Sequence, residues 1–371
     1  MNETPRDMPG TAEPRVPIRV VHILRDDHAT HTGGDLVQLH ETVAGLRAEG
    51  INAFAASLSD APDEVDIVHL YNVQLPDQLL AAMAAARRRW PAAAYVVSPI
   101  LAKTSLDAFR SGEALIVAKA ARAIVGDVVR GVRTRRALAS ADAVIVNSEG
   151  EGRFLRRLFG IPNGVVAHNG VTIERWPART GAVDRPGLAQ RLGLDPGSMV
   201  LIACVGRLEP LKNQVSLIRA IDRVPGGALA LVGPEGHPSY SAKVRALAAA
   251  RPGRVALTGS MDQASLASVL SDIDVHVLPS FRESFGLVNL EAAACGCEIV
   301  ADRSSWTREW MGDAVAYADM ASPASIAASI AEVQARPRQP GLRALVERLT
   351  WRSAAGAVAE CYRRVLAARR P

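Results

Sequence analysis

Short apolar runs alternate with amphipathic stretches along most of the chain, and this alternation predicts β-strands separated by helices. Two sets of six strands are predicted. The first set covers residues 18–24, 52–57, 67–71, 94–98, 143–147 and 165–168. The second set covers residues 199–205, 228–232, 255–258, 273–278, 298–301 and 314–317. Strands that alternate with helices in this way predict parallel sheets with crossover helices, so the expected class is α/β.

A stretch rich in proline and glycine, residues 176–186, lacks apolar periodicity and separates the two sets of strands. It therefore predicts an interdomain linker. The expected division is a disordered leader at residues 1–16, a first domain at 17–177, a second domain at 178–350 and a C-terminal helix at 351–371. The apolar residues of that helix share one face, which requires a partner surface: Val358, Cys361, Tyr362, Val365 and Leu366.

Composition narrows the class of protein without naming a function. The 371 residues suffice for two domains, and the 49% hydrophobic share supports full cores. No apolar run is long enough to span a bilayer, the first residues lack an apolar signal core, and the four cysteines show no paired spacing. These features predict a cytoplasmic protein. The net charge of +5 suits anionic substrates or membrane surfaces, and the 4% aromatic content predicts no nucleic-acid partner.

Two glutamates, Glu283 and Glu291, lie astride a Phe-Gly turn that follows an apolar strand. The segment after the turn is helix-competent, so Phe285, Gly286 and Leu287 are expected in its first turn. Free N–H groups and the helix dipole attract phosphate there. Carboxylates accept hydrogen bonds and suit sugar and ribose hydroxyls. A helix-capping acid and a solvated helix residue are the alternative interpretations of the two glutamates.

A second motif, G-R-L-E-P-L-K-N, follows the first strand of the second set. Arg207 and Lys212 then stand at the carboxyl end of a strand, where two cations form a diphosphate clamp. A solvated basic face is the alternative for such a pair. Because both motifs follow strands of one predicted sheet, their side chains are expected to converge.

The run E-x-F-G-x-x-x-x-E-A-x-A-C-G-C, together with G-R-L-x-x-x-K-N, resembles the donor-site signature of retaining glycosyltransferases of family 4, the glycosyl transferases group 1. The resemblance implies a GT-B fold, in which two Rossmann-like domains face a central cleft and the last helix crosses back to the first domain. It also implies transfer of a hexose from a UDP- or GDP-linked sugar to a hydroxyl acceptor, which would be a saccharide, a lipid-linked glycan or a natural product.

The same resemblance implies a role for each motif residue. Arg207 and Lys212 would bind the diphosphate and neutralise the leaving group, and Glu283 would contact the transferred sugar. Glu291 would accept from the ribose hydroxyls. The remaining donor contacts would come from the backbone of Phe285, Gly286 and Leu287 at the distal phosphate, and from Gly233, Pro234, Ser260 and Met261 at the base.

In the first domain, Gly33 and Gly34 open a predicted helix and would lie against the donor diphosphate from the opposite side of the cleft. A simple turn is the alternative, with Asp35 as a first-turn acid. Many family members carry a histidine after a middle strand of this half. Here Ser98 or Lys103 would line that place, and no acceptor base is assigned.

Two further segments carry their own hypotheses. The sequence D-I-D at residues 272–274 matches the D-x-D motif that binds manganese in a different glycosyltransferase fold, but here Asp272 ends a predicted helix and Asp274 begins an apolar strand. No metal and no other cofactor is therefore expected. The basic segment 110–136 predicts either peripheral contact with the inner face of a membrane or a solvated helix face. After the strand that follows the acidic motif, Glu309 matches a glutamate that is common in the family. A sugar-nucleotide epimerase and a non-catalytic nucleotide-sugar-binding subunit are the alternative functions.

Overall fold

The computed structural model describes residues 17–24, 33–101, 131–162, 164–178, 184–281, 283–303, 306–336 and 341–369. The predicted leader, Lys103 and most of the basic segment 110–136 lie outside these ranges. The predicted domain boundary at 177/178 falls beside another undescribed stretch, residues 179–183. Within the described ranges no helix is long and apolar enough to cross a membrane.

The first sheet has six parallel strands in the order β2-β1-β3-β4-β5-β6. Its strands are β1 (Arg19–Ile23), β2 (Asn52–Ala56), β3 (Ile67–Tyr71), β4 (Ala94–Ser98), β5 (Ala143–Val146) and β6 (Val165–Val166). All residues of β3 and β4 are buried, as expected for central strands covered by helices on both faces. The predicted strands of the first half are confirmed, with ends that differ by up to two residues.

The second sheet is also parallel, with the order β12-β11-β10-β7-β8-β9. Its strands are β7 (Val200–Val205), β8 (Gly227–Val232), β9 (Val255–Gly259), β10 (Val275–Val277), β11 (Glu298–Asp302) and β12 (Ala316–Ala318). The order reverses between β7 and β10, so a crevice opens at the carboxyl ends of these two strands. Both predicted motifs follow one of them.

Helices cover both faces of each sheet. In the first half they are α1 (Gly34–Ala48), α2 (Pro76–Arg89), α3 (131–139) and α4 (Glu149–Phe159). In the second half they are α5 (Arg185–Arg191), α6 (Gln214–Ile221), α7 (Pro238–Ala249), α8 (Gln263–Asp272), α9 (Leu287–Ala294), α10 (Arg308–Met311), α11 (Pro323–Ala335) and α12 (Gly341–Val346). The last helix, α13, is Trp351–Ala368.

Helix α13 returns to the first domain and packs against α1, as expected from its apolar face. The approach is close because Gly45 has no side chain. A Cβ atom there would stand 2.6 Å from the Cβ of Ala355. The apolar face predicted from the sequence is the one that is used, since all five of its residues join the core of the first sheet.

A buried polar network ties α13 to the first sheet. The Tyr362 hydroxyl lies 2.6 Å from Nδ1 of His69 and 3.3 Å from Nε2 of His22. Burial lowers the pKa of His22 to about 3, so the ring is neutral. His69 Nε2 lies 2.9 Å from the Ser98 hydroxyl. Ser98 is therefore a buried core residue, and the prediction that it lines the cleft is wrong because this network draws it inward.

Candidate active site

Three adjacent strands of the second sheet end in glycines that bring their following loops together. Gly206 follows β7, Gly233 follows β8, and Gly259 ends β9. The N–H of Gly206 donates to Val232, and the N–H of Gly233 donates to Gly259. Each glycine has a positive φ, and a Cβ atom on Gly233 would stand 2.3 Å from the carbonyl oxygen of Gly206. Only glycine allows this approach of backbone to backbone.

The loops after β7 and β8 are joined beyond these glycines. The N–H of Leu208 donates to the carbonyl of Pro234 at 2.9 Å, and the N–H groups of Gly236 and His237 donate back to the carbonyl of Leu208. The predicted phosphate residue Arg207 therefore lies beside the loop predicted to contact the base. Sequence reasoning placed both at strand ends but could not show that they touch.

Lys212 and Glu283 form an ion pair, with 2.5 Å between Nζ and Oε1. Lys212 ends a short 3₁₀ helix, Pro210–Lys212, and Glu283 lies in the loop after β10. Both side chains are mostly buried. Burial lowers the pKa of Lys212, but the Glu283 carboxylate, together with the more distant charge of Glu209, more than offsets it, so the pKa is raised and the amine is charged. The predicted convergence of the two motifs is thus observed for this pair.

Backbone contacts hold the two motif loops in register. The N–H of Phe281 donates to the carbonyl of Leu211 at 2.9 Å. The side-chain amide of Asn213 donates to Pro279 at 3.2 Å and to Met320 at 2.7 Å. Asn213 has a φ of 51°, a left-handed conformation that asparagine tolerates better than most residues. The ion pair is therefore supported by its surroundings.

Helix α9 begins at Leu287, with Gly286 as its N-cap residue at a φ of 79°. The helix thus starts later than the expected first turn, because the left-handed glycine redirects the chain. The Phe285 side chain turns into the core, where its ring stacks on Trp310 with 4.7 Å between centroids. This stacking anchors the turn that precedes α9.

A buried histidine fixes the start of α9 relative to the end of β7. His276 Nε2 accepts from the N–H of Val205 at 3.4 Å, so the ring proton lies on Nδ1. Nδ1 then donates to the Asn289 side-chain oxygen at 3.1 Å. Burial lowers the pKa of His276 to about 4, which keeps the ring neutral. The sequence offered no signal for this link.

Glu291 lies on α9, five residues into the helix. Burial raises the pKa of its carboxyl group from 4.5 to about 7. Its side chain is partly buried without a hydrogen bond to any described residue. The partial burial of this side chain differs from the full exposure that the solvated-residue interpretation of Glu291 predicts.

The first domain presents Gly33 and Gly34 to this site. Gly33 is the N-cap of α1, and a Cβ atom on Gly34 would stand 3.7 Å from Cδ1 of Leu287. Gly34 therefore lies beside the start of α9, and the contact of both glycines with a donor diphosphate stays a prediction. Asp35 lies in the first turn of α1 and accepts from the side-chain amide of Asn72 at 3.3 Å.

Glu309 bridges the two domains. Its carboxylate accepts from the N–H of Glu149 at 2.6 Å and from the N–H of Gly150 at 2.9 Å, which are the first amides of α4. Trp306 packs on the same turn, and a Cβ atom on Gly150 would stand 2.3 Å from its ring. The motif comparison identified Glu309, whereas its partner helix emerged only in three dimensions.

A cavity of 720 Å³ runs along the edge strand β9. Gly233, Pro234 and Gly259 line one end of it, and the far end is formed by Gly193 and Gly253. The cavity wall includes the loop predicted to contact the base but not the Lys212–Glu283 pair. Ser260 and Met261 follow β9, with Ser260 exposed and Met261 packed against the core.

Asp274, the second aspartate of the D-I-D sequence, forms an ion pair within the second domain. Asp274 directly precedes β10, and its carboxylate pairs with Arg185 at 2.8 Å and accepts from the N–H of Leu201 at 3.0 Å. These bonds join α5, β7 and β10. Among the described residues no cluster of three or more histidine, cysteine or acidic side chains could hold a metal ion.

Residues 192–344 match the family model described as glycosyl transferases group 1. A D-inositol 3-phosphate glycosyltransferase of Mycobacterium ulcerans is 35% identical over 179 residues, which is 47% of this chain and 38% of that relative. One of the same name from Saccharomonospora viridis is 29% identical over 311 residues, 76% of this chain and 67% of the relative. The chain therefore spans about two fifths of the length of the former.

Solved structures share the whole architecture. Sucrose-phosphate synthase from Thermosynechococcus elongatus superposes with a TM-score of 0.76 at 19% identity, covering 95% of this chain and 100% of the other. Anabaena Alr3699/HepE in complex with UDP-glucose gives 0.71 at 17% identity, with 94% and 100% covered. At this identity the likeness shows the fold. By its two parallel sheets and these superpositions the chain has the GT-B fold, and its residues 192–344 carry the match to the glycosyl transferases group 1.

Proposed function

We propose that the protein is a retaining glycosyltransferase that moves a hexose from a UDP- or GDP-linked sugar to a hydroxyl acceptor without a metal ion. The observation that carries this proposal is the Lys212–Glu283 pair, which joins the two donor motifs at the crevice of the second sheet. The match of residues 192–344 to the glycosyl transferases group 1 supports a sugar transfer, and the likeness to a protein solved with UDP-glucose favours a nucleotide-diphosphate sugar as donor.

In the proposed site, Lys212 and Arg207 neutralise the diphosphate. An ammonium group has three N–H donors, so Lys212 gives one to Glu283 and keeps two for phosphate oxygens. The raised pKa keeps that charge at neutral pH. Two cations at one leaving group do the electrostatic work for which other transferases use a metal ion.

Glu283 and the start of α9 hold the remaining parts of the donor. The Glu283 carboxylate keeps free lone pairs beside Lys212 and accepts from hydroxyls of the transferred sugar. The N–H groups that follow Gly286 meet the distal phosphate, and Glu291 accepts from the ribose hydroxyls. Gly33 and Gly34 close the site from the first domain.

The transfer step breaks the bond between the anomeric carbon and the phosphate oxygen while the acceptor oxygen bonds to the same face of that carbon. The acceptor proton passes to the departing diphosphate. No side chain of the described residues is assigned as the acceptor base, and the proposed front-face route requires none.

The first test is ligand-linked stabilisation with UDP, GDP and their hexose conjugates, because a ligand that binds the folded state raises its melting temperature. Lys212→Ala and Glu291→Ala should abolish transfer while the fold persists. Wild-type turnover in either variant would refute the donor-site assignment. Glu283→Ala should reduce transfer more than nucleoside diphosphate binding. Product formed from the sugar nucleotide alone would instead identify an epimerase.

Peripheral membrane contact is a separate proposal that the basic segment 110–136 motivates. In its described part, Arg133 pairs with Asp77 and Arg135 donates to the carbonyl of Phe159 at 3.1 Å, whereas Arg136 is exposed. Sedimentation with anionic liposomes at low salt tests the contact. Protein that stays in the supernatant would refute it.

A further inference from the structure

Arg207 stands in a loop whose backbone is held on three sides. The preceding Gly206 donates to Val232 at 2.8 Å, and the following Leu208 donates to Pro234 at 2.9 Å. The carbonyl of Arg207 itself accepts from the side-chain amide of Gln214 at 2.9 Å, and Gln214 is fully buried. Because these bonds fix the backbone of Arg207, the direction of its guanidinium group depends on the side-chain rotamer.

The stem of Arg207 lies directly over Gly236. A Cβ atom built on Gly236 would stand 2.3 Å from Cδ and 2.5 Å from Cγ of Arg207. Real Cβ atoms do not approach other heavy atoms so closely, so any side chain at position 236 displaces the stem. The displaced atoms are in the middle of the arginine chain, and moving them re-aims the whole guanidinium group.

Gly236 is not a glycine that its backbone conformation requires. It is absent from the residues with positive φ, whereas its neighbour Gly233 has a φ of 145°. Alanine can adopt the backbone conformation of Gly236 at little cost. The contact that excludes a side chain there is chiefly the Arg207 stem, with the carbonyl of Leu208 next at 3.3 Å.

We infer that Gly236 is a positioning residue for the donor diphosphate, because its missing side chain leaves the space in which the Arg207 stem lies. The inference rests on the proposed function and assigns a role to the loop after β8 beyond contact with the base. Gly236, in the loop after β8, thus sets the direction of the guanidinium group of Arg207, which lies in the loop after β7.

A double-mutant cycle tests this inference, with UDP and GDP binding measured by calorimetry on the full chain. The variants are Gly236→Ala, Arg207→Ala and the combination of both. Gly236→Ala should weaken nucleoside diphosphate binding by about ten- to a hundredfold, the value of a misdirected charge-assisted hydrogen bond. In the Arg207→Ala background the same change should have no further effect, because that variant has no Cγ or Cδ atom to displace.

Gly356→Ala is the matched control, since a Cβ atom there meets nothing within 4 Å and the residue lies on α13. It should bind as the wild type does. If Gly236→Ala alone lowers the melting temperature and the double variant restores it, the clash with the arginine stem is demonstrated directly.

The outcomes separate the inference from the proposed function. Undiminished binding by Arg207→Ala would refute the donor role of that residue. Weakened binding by Arg207→Ala with normal binding by Gly236→Ala would refute the inference alone. An equal loss from Gly236→Ala in both backgrounds would place the effect in the backbone and would also overturn it.

Discussion

Replacing Glu291 by glutamine should stabilise the protein at alkaline pH. In the folded protein burial raises the pKa of the carboxyl group from 4.5 to about 7. Each pKa unit corresponds to about 1.36 kcal/mol, so the full shift amounts to about 3 kcal/mol of unfavourable free energy when the group is ionised. Solvent around the partly exposed side chain reduces this, and we expect Glu291→Gln to gain about 1–2 kcal/mol at pH 8.

The pH dependence has a defined sign. Between pH 4.5 and about 7 the folded protein keeps the Glu291 proton while the unfolded chain has lost it. Stability that depends on this group therefore falls as the pH rises through that window. The advantage of Glu291→Gln should be largest at pH 8 and should vanish near pH 4.5.

Urea denaturation of wild type and variant at several pH values measures the difference, because common effects of other groups cancel. Glu332→Gln is the control, since Glu332 is an exposed glutamate on α11. It should show no such pH-dependent gain. A Glu291→Gln gain that is equal at pH 5 and pH 8, or a loss at pH 8, would refute the assignment of burial as the cause.

Three further substitutions test the contacts that hold the fold together, each by its urea midpoint. Tyr362→Phe should cost about 1–3 kcal/mol, because buried His69 loses a partner; an unchanged midpoint would contradict this. Glu309→Ala should cost about 1 kcal/mol, because the first two amides of α4 lose their acceptor, and Glu309→Gln, which keeps an acceptor, should cost less; equal losses would argue against this role of the carboxylate. Phe285→Ala should cost about 3–5 kcal/mol by leaving Trp310 without its stacked ring, and a loss below about 1 kcal/mol would be incompatible with that packing.

The local order of apolar and polar residues was sufficient to predict the strands and helices of this fold. Strand β3, for example, is buried at every position and was predicted at the bounds it has, because a strand covered on both faces reads as a largely apolar run. The motif spacing likewise placed Lys212 and Glu283 after strands of one sheet, where carboxyl ends converge. Such patterns depend only on neighbours in the chain, so the sequence carries them directly.

The predictions were wrong where a residue's position depends on contact with a residue distant in the chain. Ser98 ends its strand as predicted but turns to His69, which belongs to a network closed by α13. The start of α9 shifted because Gly286 adopts a left-handed conformation and Phe285 found Trp310 in the core. Helix boundaries of this kind depend on tertiary packing more than on propensity.

The sequence by itself determined two α/β halves, the strand that precedes each motif, and the residue types that suit a diphosphate sugar. Only the tertiary structure decided which groups meet: Lys212 with Glu283, Glu309 with α4, and the Arg207 stem with Gly236. The physical reason is that periodicity records which face of an element is buried, whereas contacts across loops depend on how whole elements pack. A glycine required for the space it leaves cannot be distinguished, in one sequence, from a glycine required for its backbone conformation.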